Sequence, residues 1–153
     1  MVSAHDAPGH APALAAVLLV EDDEVHARIV EASLAGAKLS NPIVRARTGD
    51  EAVAYIQDSE NGKPNAFPVL MLLDLELPGQ SGLTVLERLR GLGTPAKDCP
   101  VIMMSGSHDD AVIAKARQLG VRGYLIKPVA FDALVDVVHR LDMHWALLPG
   151  DGS

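Results

Sequence analysis

The stretch Val69 to Gly82, VLMLLDLELPGQSG, limits the possible folds more than any other part of the sequence. Its apolar run ends on Asp74, and Leu75-Glu76-Leu77 then leads into Pro78-Gly79 and Gly82. A short apolar run closed by Pro and Gly suits a strand buried on both faces, as in the centre of a parallel sheet. Asp74 then stands at the carboxyl end of that strand. Ligands of open α/β sheets bind in the crevice at this end, so Asp74 is expected to be the most exposed functional position.

The same alternation recurs along the chain. Ala15 to Val20 is a second apolar run, ending abruptly in Glu21-Asp22-Asp23-Glu24. From Glu24 the spacing turns helical, with Val25, Ile29 and Ala32 on one face and Asp23 placed to cap the first turn. Ile43 to Arg47 reads as a strand, and Thr48-Gly49-Asp50 opens a helix with Ala52, Val53 and Ile56 inward. After the Asp74 strand, Leu83, Leu86 and Leu89 mark a helix. Val101 to Met104 is a strand ending on Ser105-Gly106-Ser107, followed by a helix starting at Asp109 or Asp110, with Val112, Ala116 and Leu119 inward and Gly120 as its stop. Gly123 to Ile126 is the last strand. Phe131, Leu134, Val135, Val138 and Leu141 then give the clearest helical periodicity in the chain. Five strand–helix alternations predict βαβ units with right-handed crossovers and a parallel sheet covered on both faces.

At 153 residues the chain is expected to form one domain. We read 1–14 as a flexible leader, 15–142 as the folded domain and 143–153 as a tail. Hydrophobic residues make up 48% and aromatics 3%, so the core must be aliphatic. A net charge of −7 argues against a nucleic-acid partner. No apolar run approaches the roughly 20 residues of a membrane span, and the leader lacks the pattern of a signal peptide. Cys99 is the single cysteine, so no internal disulfide forms and a cytoplasmic setting is expected. No function is assigned to it.

Four strand ends carry polar groups: Glu21 and Asp22, Asp74, Ser105 and Lys127. In a parallel sheet all of these line one edge. Three carboxylates there repel one another unless a cation is present, and Mg²⁺ suits an all-oxygen site that keeps room for water and phosphate. Lys127 and the Ser105 hydroxyl supply a point charge and a donor for a tetrahedral anion. Asp74, the central acid, is the best nucleophile toward phosphorus. Taken singly, each residue has a plainer reading: Asp22 and Asp23 as helix-capping acids, Ser105 as a turn residue, Tyr124 as core. The six histidines are scattered and suit solvated or packing roles.

Four motifs, VLLVEDD (Val17 to Asp23), LLDLELPGQSG (Leu72 to Gly82), MMSGS (Met103 to Ser107) and YLIKP (Tyr124 to Pro128), together resemble the receiver domains of bacterial two-component response regulators. The resemblance covers about Val17 to Leu141. It implies a flavodoxin-like doubly wound (βα)5 fold with sheet order 2-1-3-4-5. It further implies a phosphoacceptor signalling protein rather than an enzyme, with Asp74 taking a phosphoryl group from a sensor histidine kinase. By the same resemblance Glu21, Asp22, Asp74 and the Glu76 backbone carbonyl surround Mg²⁺, Ser105 and Lys127 hold the phosphoryl oxygens, and Tyr124 is the switch aromatic. The Lys127–Pro128 bond is implied to be cis, and Glu76 and Ser107 occupy positions that tune dephosphorylation.

The loop at Ser59 to Pro68, the LLDLELPG wording and the terminal pattern His144-Trp145 with Leu147-Leu148-Pro149 resemble stand-alone regulators paired with phytochrome histidine kinases. Few residues follow Pro128, so no output domain is expected. Signalling would then pass through contacts with a downstream target or phosphotransfer protein. The apolar tail suggests an interface, and we expect a homodimer built from Phe131, Val138, Trp145, Leu147 and Leu148. Two rivals are weighed. An aspartate-nucleophile phosphatase resembles a pattern with a second Asp where this chain has Glu76, and a phosphorylation-independent interaction module would not need the full acid, hydroxyl and lysine set.

Overall fold

Five main strands and five helices alternate in the computed structural model, which describes residues 16–36, 41–60, 68–92 and 99–141. They run β1 (Ala16–Val20), α1 (Glu24–Gly36), β2 (Ile43–Ala46), α2 (Gly49–Glu60) and β3 (Pro68–Asp74). A two-stranded antiparallel ribbon, β4 (Glu76–Leu77) and β5 (Gln80–Ser81), leads into α3 (Gly82–Arg90). The chain continues through β6 (Val101–Ser105), α4 (Asp110–Gln118), β7 (Gly123–Ile126) and α5 (Phe131–Arg140). The main sheet is parallel throughout in the order β2-β1-β3-β6-β7. Counting its five strands in turn, this is the expected 2-1-3-4-5.

The period of two in a strand explains why the three central strands are apolar on both faces up to the polar ends Asp74 and Ser105. Leu18, Val20, Met71, Leu73, Val101 and Met103 face one side, where α2, α3 and α4 close the core with Ala52, Ile56, Val85, Leu86 and Ala116. Val17, Leu19, Leu70, Leu72, Ile102 and Met104 face the other, against Ala27, Val30 and Leu34 of α1 and Leu134, Val137 and Val138 of α5. Fully burying one such Leu or Val contributes about 1.5–3 kcal/mol. The strand ends are therefore held from both faces.

Two helices present a different face from the one expected. In α1, Val25 and Ile29 are 69% and 38% exposed and Ala32 is exposed too, while Ala27, Val30 and Leu34 are buried. The helix carries apolar residues on more than one side, and the docked side is the one that meets the sheet. In α5, Phe131 is 44% exposed and Val135 half-buried, with Val137 taking the inward place. Val138 is correspondingly not available to a second copy: it is 1% exposed and packed in its own core. Gly120 does stop α4, in the left-handed conformation at φ +89°. The turn of the small ribbon, with Gly79 at φ +81°, was not anticipated.

The leader, residues 61–67 of the loop at 59–68, and the tail with Trp145, Leu147 and Leu148 lie outside the described residues. Among the described residues, no helix is long and apolar enough to cross a membrane.

Candidate functional site

The parallel ladder carries the functional residues to one edge and keeps them in register there. Asp74 lies beside Met104, and Ser105 beside Ile126. Just past the strands the ladder continues, with Leu75 N–H donating to the Met104 carbonyl and Lys127 N–H to the Ser105 carbonyl, both at 2.8 Å. Glu21 follows β1 directly; its N–H donates to the Ala46 carbonyl at 2.9 Å. Its own carbonyl accepts from Arg45 Nε at 2.6 Å. The edge is thus a continuation of the sheet rather than a set of free loops.

Carboxylate oxygens of Glu21, Asp22 and Asp74 lie within 4.8 Å of one another. Asp22 is exposed, but Glu21 and Asp74 are 0% and 1% exposed, which corrects the expectation that Asp74 is the most open position. The cap of α1 falls to Asp23, whose Oδ1 accepts from Val25 and His26 N–H at 2.9 and 3.2 Å, and Asp22 takes no part in it. Lys127 Nζ reaches Asp74 Oδ2 at 2.8 Å and Glu21 Oε1 at 3.1 Å.

The charges are unevenly shared. Burial and the neighbouring Glu21 carboxylate push Asp74 up to about 7, against the opposing pull of Lys127 and the Glu76 N–H. Burial also disfavours ionised Glu21, but hydrogen bonds with His26, Asp74, the Asp23 N–H and Lys127 outweigh it and bring it down to about 2. For Lys127 burial works the other way, and Asp74 and Glu21 together hold the amine above its ordinary value. One half-buried lysine does not balance three clustered acids. This all-oxygen, charge-deficient group fits a hard divalent cation such as Mg²⁺, with Glu21, Asp22 and Asp74 as the side chains that would hold it.

On the other side of Asp74, Ser105 is fully buried and already engaged. Its hydroxyl donates to Glu76 Oε2 at 2.6 Å and accepts from Ser107 N–H at 2.9 Å. Gly106 N–H donates to Glu76 Oε1 at 3.3 Å. The Glu76 carboxylate therefore sits on two donors that point to where an anion would be held, while its own N–H donates to Asp74 Oδ1 at 3.0 Å. Tyr124 is half-buried, and its hydroxyl donates to the Ser107 carbonyl at 3.2 Å. The Lys127–Pro128 bond is cis.

The structure thus brings together Glu21, Asp22, Asp74, Ser105 and Lys127, with Glu76 beside them and Tyr124 tied to the same loop. Phe131 and Val138 belong to α5 and take no part. Cys99 is buried, its thiol pushed up to about 12 by that burial, and it is inert in this state. Two contributors were missed. His26 is 5% exposed and bonds Glu21, and the side chain of Glu76, considered only for its backbone carbonyl and its tuning position, reaches Ser105. The one available signal for His26 was its place a single helical turn beyond the acid cluster.

Residues 17–139 match the response regulator receiver domain. The chain belongs to the receiver domain family. Among solved receivers it is similar to the bacteriophytochrome response regulator RtBRR, at 35% identity and a TM-score of 0.77 over 92% of this chain and 86% of that one. The bacteriophytochrome response regulator AtBRR is 34% identical with a TM-score of 0.75, over 90% and 99% of the two chains. Response regulator Rcp1 of Synechocystis sp. is 29% identical over 84% of this chain and 87% of its own. A solved form of Rcp1 is bound to Mn²⁺, with a TM-score of 0.68 over 84% and 91% of the two chains. The receiver assignment thus rests on sequence and on fold together.

Proposed function

We propose that this receiver accepts a phosphoryl group on Asp74 from the phosphohistidine of a sensor kinase and signals through protein contacts. The observation that carries the reading is Asp74 itself, buried at a strand end between Lys127 Nζ at 2.8 Å and two further carboxylates. In the transfer an Asp74 carboxylate oxygen forms a bond to phosphorus as the phosphorus–nitrogen bond breaks, its electron pair returning to the imidazole. Glu21, Asp22 and Asp74 would hold Mg²⁺, which would keep Asp74 ionised and offset its repulsion of the incoming group. Lys127 would follow the developing charge on phosphoryl oxygen. Ser105 and Gly106 N–H would serve the same group once Glu76 gives them up, and Tyr124, bonded to the loop they start, would register that exchange.

The partner kinase is proposed to be a phytochrome, on the strength of the similarity to the bacteriophytochrome response regulators RtBRR and AtBRR. We further propose a homodimer in which exposed Phe131 of α5 and the tail residues Trp145, Leu147 and Leu148 meet a second copy; a chain ending at Met143 should then run as a monomer in light scattering.

The decisive experiment is incubation with Mg²⁺ and a small-molecule phosphodonor, read by intact mass. One phosphoryl group should be added to the wild type, with none on Asp74→Asn and none when a chelator is added first. A folded wild type that takes no label under any condition ends the proposal.

A further inference from the structure

Glu21 has more support than any other carboxylate of the site, and part of that support comes from outside the strand ends. His26 lies in the first turn of α1, 5% exposed, with Nδ1 2.5 Å from Glu21 Oε1. A carboxylate only accepts, so Nδ1 carries the hydrogen and donates. The other ring nitrogen, Nε2, is buried with no partner among the described residues. Leaving a buried polar atom unmatched costs about 1–3 kcal/mol. A purely space-filling side chain would avoid that cost, so His26 has a use beyond volume.

Its contact indicates what the use is. Glutamate is one methylene longer than aspartate, and its terminal torsion is broad and weakly defined. A cation needs that freedom removed beforehand. Two groups remove it, Asp23 N–H holding Oε2 at 3.1 Å and His26 Nδ1–H holding Oε1, while Arg45 Nε fixes only the backbone carbonyl at 2.6 Å. Lys127 reaches the same carboxylate but is shared with Asp74. His26 alone approaches from the helix side.

We propose that His26 is a positioning residue for the divalent-cation site, its Nδ1–H locking the Glu21 carboxylate in the orientation shared with Asp22 and Asp74. This rests on the reading of those acids as a cation site. Hydrogen-bond partners of metal ligands are typically worth about 10–100-fold in affinity.

The test is Mn²⁺ binding to the full chain, with free Mn²⁺ followed by electron paramagnetic resonance. His26→Asn and His26→Leu are nearly isosteric and leave the same space, but only Asn offers a donor near the place of Nδ1. Asn should bind within about threefold of wild type and Leu about tenfold or more weaker, as expected for loss of a ligand's partner. Equal affinities, or tighter binding by Leu, overturn the role of His26. A wild type that binds no Mn²⁺ overturns the cation reading itself, and the two failures are distinguishable. Thermal melts in chelator check folding, and the comparison is made at a temperature at which all three proteins are folded.

Discussion

Around Asp74 the acids and Lys127 stand where cation-assisted chemistry needs them, whereas the donors across the site are held by the chain's own Glu76. Asp74 Oδ2 is 2.8 Å from Lys127, but the Ser105 hydroxyl points to Glu76 at 2.6 Å. The first half is built by strand ends that the ladder fixes. The second half depends on a single side chain from the ribbon β4. On the proposed function the site is prepared for a cation before it is prepared for phosphate, and the exchange at Ser105 is where phosphorylation would change shape.

Removing the fixed half should have the largest effect. Lys127→Met takes away the charge nearest the transferring group, and the initial rate of labelling by a small phosphodonor should fall about 100-fold or more, comparable to losing one oxyanion donor. Ser105→Ala leaves the acids intact and removes one bond to a charged oxygen, so the same assay should show roughly a tenfold loss.

The contrast also predicts a pH dependence in the metal-free protein. Asp74 is raised from 3.8 to about 7, so its contribution favours the fold fully below 3.8 and is lost as pH rises through about 7. Glu21, lowered from 4.5 to about 2, contributes above 4.5 and loses that contribution as pH falls through about 2. Between these limits both help, with the Asp74 contribution shrinking as neutrality is approached. At pH 8 without metal, Asp74→Asn should therefore be more stable than wild type by roughly 1–3 kcal/mol, read by urea melts. The gain should vanish near pH 4 and shrink on adding Mg²⁺ at pH 8. An Asp74→Asn protein that is less stable at pH 8 would mean the acids are not strained against one another.

Glu76→Gln should have the smallest effect and sharpens the contrast most. It keeps an oxygen near Ser105 but removes the charge that holds the donors. Labelling should speed up about threefold, the equivalent of weakening one hydrogen bond by roughly 0.5–1 kcal/mol. No change would show that Glu76 leaves Ser105 without resistance.

The sheet and its functional edge were largely legible because strands buried on both faces must be apolar at every position, so their polar ends stand out. Asp74, Ser105 and Lys127 announced themselves in this way. Helix faces were harder. Val25, Ile29 and Ala32 share a helical face as well as Ala27, Val30 and Leu34 do, and spacing alone does not say which side meets the sheet. Burial of polar groups was the least legible. His26 carries no motif, and its place against Glu21 depends on how α1 lies on β1. Glu76 was noticed as a neighbour of Asp74, but its reach to Ser105 depends on the turn through Gly79. Asp74 itself was expected in the open because strand ends border solvent, and the side chains around it closed over it.

Gly82 bears on how this receiver can be altered. A Cβ there would press on the Asp74 carbonyl oxygen and lie 2.9 Å from Leu75 Cα, while Gly82 N–H donates to the Leu75 carbonyl at 2.7 Å. The start of α3 is therefore the backstop of Asp74. Of the two positions expected to tune signal lifetime, Glu76 reaches Ser105 from the ribbon β4, whereas the Ser107 hydroxyl accepts from Asp109 N–H at 3.0 Å. At position 82 the alphabet has a single letter, and any library that randomises it samples misplaced aspartates rather than new kinetics.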